Sequence, residues 1–436
     1  MTPQAPLAVL LSPRPAVVAA ARRAGARTLV LAPDLSAPDM RESAAAADAS
    51  LTVEWRDHPR LMMAVGHLAD LPARAAVLGF AERSALAAAR ANEALRFPGN
   101  PHAAVAYLTD KAALRGKVNQ LTGAPVRFER CDRAAHLVPV AERVGFPCVA
   151  KPRTGSGGQD VHLLRDAADA ALLAAELAPE PALIVEEFLD GPEYSAEALS
   201  VAGRHTVLAV TRKHPPSPDG THAGGYDLPA ALDPAAEEDI HRLVTATLTA
   251  AGQRSGLSQT EVVRTADGPR LIESHAHPGD PCVAALVRAA TGTDLYAVAI
   301  AAALGLPAPP PARTDTAARG RCAGVRFPLL PPGLLTAVHG VAEARALPGI
   351  TEVEITVPEG SHVPETTSRV AGHGRVAAVA DTAYELEALL RKAVDTLSPA
   401  VAPPPAAPGR AAHPSAPGSG PDPGPAAVKE EEHTAA

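Results

Sequence analysis

The run Thr260-Glu-Val-Val-Arg-Thr-Ala-Asp-Gly-Pro-Arg-Leu-Ile-Glu-Ser-His275 constrains the chain more than any other stretch: two strand-like segments flank a turn and carry one acid each. A three-residue loop at Ala266-Asp267-Gly268, with Gly268 in the left-handed position, sets Glu261 opposite Glu273. Like charges face to face destabilise a strand pair, so a positive group is expected between them. His275, two residues beyond Glu273, projects to the same face. A divalent cation is the natural occupant. A one-residue slip would put the acids on opposite faces, and Pro269 cannot donate to the ladder. An exposed hairpin with ordinary surface acids therefore stays open as the alternative.

Length and composition bound the rest. A chain of 436 residues with 47% apolar content holds more than one core. Only 3% of residues are aromatic and the net charge is −8, so neither stacking platforms nor a basic footprint for nucleic acid is present. Cys131, Cys148, Cys282 and Cys322 are scattered singly, which fits a reducing cytoplasm better than a disulfide framework or a zinc knuckle. Met1 to Leu11 has no basic leader, and the apolar run Leu295 to Leu304 is too short to span a bilayer, so no membrane is expected.

Buried strands are expected at Leu7 to Leu11 and Thr28 to Leu31, separated by an alanine-rich helix from Pro15 to Ala24, with a further strand from Ala75 to Gly79. The first strand leads into Ser12-Pro13-Arg14-Pro15 with no glycine fingerprint, which argues against a dinucleotide at this turn. The expected organisation is an amino-terminal α/β domain over 1–100, a central domain over 101–310, a small α+β domain over 319–397 and a disordered Pro/Ala/Gly-rich tail over 398–436.

Three further segments carry chemistry. A strand from Pro147 to Ala150 delivers Lys151, and Gly155-Ser156-Gly157-Gly158 turns into a second strand from Val161 to Leu164. Bare amides in such a turn, with a lysine beside them, suit anionic oxygens; a plain glycine-rich hairpin tip is the alternative. The strand ending in Glu186-Glu187-Phe188-Leu189, followed by Glu193, offers groups that could meet a purine edge and ribose hydroxyls, or simply solvated acids. The Gly/Pro-rich stretch from His214 to Pro229, containing His222, Gly224 and Tyr226, is a candidate covering loop or a mobile loop without function.

Taken in order, Asp110-Lys111, Lys151 before Gly-Ser-Gly-Gly, Glu186-Glu-Phe-Leu with Gly-Pro-Glu193-Tyr, Lys213, and Glu261 with Glu273 resemble the ATP-grasp superfamily. Within it the chain looks most like the carboxylate–amine ligases, the group of D-alanine:D-alanine ligase, L-amino acid ligases and carnosine synthase. The resemblance implies an α/β (α+β ATP-grasp) architecture: an open α/β domain, a two-lobed ATP-grasp fold, a small carboxy-terminal domain and the tail. It implies that Lys111, Lys151 and the loop Gly155, Ser156, Gly157 and Gly158 contact ATP phosphates and that Lys213 reaches the terminal phosphate. Glu186 would bind the adenine amino group, the main chain of Glu187 and Leu189 the rest of the hinge, and Glu193 ribose. Glu261 and Glu273 would hold magnesium.

Two departures from the family pattern stand out. His275 replaces the usual asparagine, and imidazole suits manganese or zinc better than magnesium. His277 replaces an arginine, so a contact to acyl phosphate or substrate carboxylate would titrate near neutrality, with activity falling as pH rises. The implied reaction joins a small carboxylate to an amine with release of ADP and phosphate. An ATP-grasp carboxylase or formate-using transformylase, and an ATP-binding regulatory protein, are the alternatives. The segment Arg321 to Leu397 could close the cleft or build a homodimer interface.

Overall fold

The computed structural model describes residues 5–66, 74–121, 123, 125–155, 160–218, 220, 222–307, 321–364 and 372–402. Strands β1 (Leu7–Leu11), β2 (Arg27–Ala32), β3 (Ala49–Thr52) and β4 (Ala75–Leu78) form a parallel sheet in the order β3-β2-β1-β4. Every residue of β1 is buried, as a strand covered by helices on both faces requires. The helix Pro15–Arg23 starts on a proline and ends on Arg22 and Arg23, matching the asymmetry and dipole of a helix. These elements fall where the alternating apolar runs place them.

A second, antiparallel sheet combines β5 (Phe128–Cys131), β6 (Cys148–Pro152), β7 (His162–Leu164) and β8 (Leu183–Glu187) in the order β5-β8-β6-β7. β6 and β7 pair as the expected hairpin, with Cys148 opposite Leu164. Ser156, Gly157 and Gly158 of the glycine loop lie outside the described residues; Gly155 is described and has φ +106°.

The central sheet has eight strands. β9 (Glu193–Val201), β10 (Arg204–His214), β11 (His222–Leu228), β12 (Gly256–Thr265) and β13 (Gly268–His275) come from the middle of the chain. They are joined by β14 (Cys322–Pro328), β16 (Ile350–Ile355) and β18 (Gly374–Ala380), giving the order β13-β12-β9-β10-β11-β14-β18-β16. β15 (Gly333–His339), β17 (His362–Val363) and β19 (Ser398–Ala402) make a small third layer in the order β17-β15-β19. Two expectations change here. The second half of the stretch from His214 to Pro229, His222–Leu228, is strand β11, hydrogen-bonded to both β10 and β14, so His222, Gly224 and Tyr226 do not sit on a covering loop. Ser398 to Ala402 pairs with β15, so these five residues belong to the folded unit; 403–436 lie outside the described residues.

The helix Pro234–Ala251 backs the central sheet. Asp233 caps its first turn by accepting from Ala236 N at 2.8 Å, and Gly252 at φ +79° closes its end. Its inner face, Ile240, Val244 and Leu248, is wholly buried, each side chain contributing about 1.5–3 kcal/mol. The helix Leu295–Leu304, apolar on all sides, packs against Pro15–Arg23 in the core between the first sheet and the central one. Among the described residues no single helix is long and apolar enough to cross a membrane.

Candidate active site

Alternation along the strands gathers one polar face on the central sheet. Ser195 and Glu197 of β9 lie beside Glu261 and Gln259 of β12, which lie beside Glu273 and His275 of β13. On the other edge of β9, Lys213 of β10 sits opposite Glu193. Glu261 does face Glu273, though not through the expected loop. At the tip Thr265 pairs with Gly268, a two-residue turn, and a bulge between Val262 and Glu261 adds Ile272 to β13. Gly268 takes φ +98° in this tight turn, as glycine does at little cost.

The positive groups expected between the acids are lysines. Lys213 Nζ lies 2.7 Å from Glu261 and 3.4 Å from Glu193. Lys111 Nζ lies 3.0 Å from Glu273 and donates to the carbonyl of Gly155, tying the start of the helix Lys111–Leu121 to the glycine loop. Burial opposes a charge on Lys213, but Glu261, Tyr226 and Glu193 outweigh it and hold the ammonium far above its ordinary range. Burial likewise works against ionised Glu273, and His275, Lys111 and Lys151 pull its carboxyl well below the usual range.

Lys151 is 2.7 Å from Glu186, whose other oxygen accepts from Arg115 Nε at 2.9 Å. Glu186 is only 4% exposed, and despite that burial Arg115 and Lys151 keep it ionised. Arg115 also donates to the carbonyls of Leu271 and Ile272, the latter at 3.0 Å, so it fills the β13 bulge. Arg115 carried no signal in the sequence beyond its position one turn after Lys111 on the same helix face. Glu187 turns away: its carboxylate accepts from Arg127 N at 2.8 Å and Nε at 2.9 Å. Leu189 lies in the turn after β8, half-buried.

At the far end of the face, Glu197 has no cation partner among the described residues. Among the described residues its oxygens accept only from the Gly279 amide, each at 3.3 Å, and burial pushes its carboxyl up to about 8. A side chain at Gly279 would meet Glu197 Oε1 at 2.7 Å, so the close approach needs glycine. His275 Nε2 is 3.3 Å from Glu273 Oε1, and the His275 and His277 rings stack with centroids 5.0 Å apart. His277 does not behave as a pH-dependent arginine substitute. Burial and the neighbouring His275 press its pKa down to about 4, so it is neutral from pH 6 to 8. Strand β11 supplies Asp227, which accepts from His214 at 2.6 Å and pairs with Arg326 at 2.7 Å; Arg326, 3% exposed, also meets Glu387.

Two family models match the chain. Residues 144–284 match an ATP-grasp domain and residues 326–402 match the L-amino acid ligase C-terminal domain 2. The chain is 28% identical over 317 residues to the uncharacterized protein y4rH of Sinorhizobium fredii, covering 70% of this chain and 64% of that one. It is 29% identical over 200 residues to carnosine synthase 1 of Gallus gallus, covering 42% of this chain and 21% of that one. These matches thus span less than two thirds of either relative. The crystal structure of an L-amino acid ligase from Bacillus licheniformis superposes with a TM-score of 0.75 at 22% identity, over 92% of this chain and 100% of that one, which establishes a shared fold. The chain therefore carries an ATP-grasp domain over residues 144–284, followed by an L-amino acid ligase C-terminal domain 2 over residues 326–402.

Proposed function

We propose that the protein is an ATP-dependent ligase that activates a small carboxylate, of the amino acid class, as its acyl phosphate and transfers the acyl group to an amine. The observation that carries this is the convergence of Lys111, Lys151 and Lys213 with Glu261 and Glu273 at the junction of the two sheets. The L-amino acid ligase domain over 326–402 supports an amino acid as the carboxylate.

Each acid is neutralised by a lysine, and this pairing is the resting arrangement. When ATP enters, the phosphates compete for the lysines: Lys111 and Lys151 turn to the inner phosphates and Lys213 to the terminal one, and the two carboxylates are freed. Facing carboxylates with hard oxygen donors fit magnesium: Glu261 and Glu273 would hold it, and it would neutralise charge developing on the phosphates. Glu186 is fully engaged with Arg115 and Lys151. The adenine amino group is therefore assigned to the main chain of Glu187 and Leu189, with Glu186 aiming Lys151; Glu193, 40% exposed, is left for ribose.

The substrate carboxylate oxygen then bonds to the terminal phosphorus as ADP leaves, and the amine nitrogen bonds to the acyl carbon as phosphate leaves. Positioning and charge supply the rate in such transfers. His277, uncharged, supplies no fixed cation to the substrate. Four free cysteines suit a reducing, cytoplasmic setting.

The test is ADP and phosphate release across a matrix of amino acids and amines, with hydroxylamine as a trap for the acyl phosphate. Turnover that needs a specific carboxylate and amine together, with hydroxamate formed when the amine is omitted, is the expected result. Turnover that depends on bicarbonate or formate, or ATP binding without turnover, would overturn the proposal.

A further inference from the structure

Three buried donor atoms near the polar face point at one another without hydrogen-bond partners: Glu82 Oε2, His275 Nδ1 and His277 Nε2. One ligand atom from each of the three residues lies within 4.8 Å of those of the other two, with His275 Nδ1 and Glu82 Oε2 3.9 Å apart. His275 is 4% exposed. An orphaned polar atom in a buried place costs on the order of 1–3 kcal/mol. Three of them converging is a stored cost that a ligand would relieve.

The opposite nitrogens of both rings fix which atoms are lone pairs. His277 Nδ1 is 2.7 Å from the Pro278 carbonyl, which can only accept, so Nδ1 carries the proton and Nε2 is bare. His275 Nε2 faces the Glu273 carboxylate at 3.3 Å, so Nε2–H is the nitrogen that donates to Glu273 and Nδ1 is the one left for a metal. A carboxylate or carbonyl behind an imidazole whose other nitrogen is free is the pattern that orients metal-binding histidines. Two neutral imidazoles and one carboxylate suit zinc and its neighbours in the first transition row, whereas magnesium takes oxygens.

We propose that Glu82, His275 and His277 form a site for a zinc-class divalent cation, distinct from the Glu261–Glu273 pair. Bonds of about 2.0–2.1 Å require donors roughly 3.4 Å apart in a tetrahedron, so the three side chains close in by about an ångström on binding. Glu82 opens the helix Glu82–Leu95 behind β4, while His275 ends β13 and His277 follows it. The ion therefore pins the amino-terminal sheet to the central sheet. Three protein ligands leave a fourth position open, available to water or to a donor atom of the substrate. Because His275 joins this ion through Nδ1 and Glu273 through Nε2, occupancy here also fixes the orientation of Glu273.

The experiment is titration of the full chain, stripped with a chelator and free of nucleotide, with cobalt(II) and with zinc against a chromophoric competitor, in millimolar magnesium. One equivalent is expected to bind, with the visible spectrum of tetrahedral or five-coordinate cobalt and an upward shift in Tm. Glu82→Gln and His277→Gln each weaken binding by more than about 100-fold, beyond the 10–100-fold typical of changes one bond further out, while Glu261→Gln leaves it unchanged. If both ligand variants fail to fold, X-ray absorption of the wild-type cobalt protein decides by showing two imidazoles or none. Absence of stoichiometric binding overturns the proposal. So does binding that survives Glu82→Gln and His277→Gln but disappears in Glu261→Gln, which puts the cation on the phosphate-side acids.

Discussion

Arg115 is the residue on which the two lobes of the central domain meet, and its removal tests the site's physical logic most directly. Its side chain is 1% exposed and spans three elements: it leaves the helix Lys111–Leu121, pairs with Glu186 of β8 at 2.9 Å, and donates to the carbonyls of Leu271 and Ile272 in the β13 bulge. Arg115→Met keeps volume and stem packing but strands part of the charge on Glu186, leaving it to Lys151 alone, and deprives two carbonyls of their donor. Breaking a buried pair from one side costs about 3–5 kcal/mol. For a cooperative unit of 150–250 residues that is a fall of about 6–20 °C in Tm. The companion Glu186→Gln removes the stranded charge, so the double variant should be less damaged than the sum of the singles, by at least about 1 kcal/mol. Thermal or urea unfolding of the four proteins in one buffer supplies the cycle. A loss under about 1 kcal/mol in Arg115→Met, or strict additivity in the double variant, would refute the view that Glu186 depends on Arg115 for its charge.

Further outcomes follow from the same geometry. Glu261→Gln and Glu273→Gln should each retain the fold and lower turnover at least about 100-fold, with the thermal shift produced by magnesium-ATP reduced in both; wild-type turnover in either refutes their assignment to magnesium. Glu197 titrates at about 8 in the folded chain against 4.5 when unfolded. The folded state therefore binds the extra proton between those values, and stability falls as pH rises through that window by up to about 1.4 kcal/mol per unit. Glu197→Gln should flatten this dependence in melts of the metal-free protein, and parallel wild-type and variant profiles would contradict it. Asp227, though buried, is held below the ordinary carboxylate range by His214 and Arg326, so its contribution is present above pH 3.8 and lost on further acidification. Asp227→Asn should cost about 3–5 kcal/mol near neutrality, and an unchanged urea midpoint would show that Glu387 alone satisfies Arg326.

Much of this architecture was legible because it is written in local patterns. The buried runs at Leu7 to Leu11 and Leu29 to Ala32 are continuous and apolar, which a parallel sheet demands, and Lys151 and Glu186 sit near the ends of short strands bounded by turn residues. Strand β11 was missed because Gly224, Gly225 and the flanking prolines have the composition of a loop. Only the neighbouring strands β10 and β14, the latter almost a hundred residues away in the chain, turn it into a sheet element. Arg115, Glu197 and Glu82 were illegible for a related reason, since each acquires its role from partners that lie far off in sequence.

The acid pair shows how a correct contact can come from an incomplete account. Glu261 faces Glu273, but the hairpin reaches that register through a two-residue turn and a bulge at Ile272, and the bulge's carbonyls are what Arg115 binds. A loop of three residues and a loop of two plus one bulged residue place the acids identically, and nothing in the hairpin's own sequence separates them. What separates them is the guanidinium of Arg115, 156 residues from Leu271 in chain order but in contact with the hairpin in space: without the bulge, Ile272 would offer its carbonyl to β12 and Arg115 would have one acceptor fewer. The register of the acids and the placement of Arg115 are therefore one structural event. A variant lacking Ile272 should keep Glu261 opposite Glu273, because the turn register then continues unbroken, yet lose stability through Arg115. A melt of that deletion variant no lower than wild type would show that the bulge serves the hairpin alone.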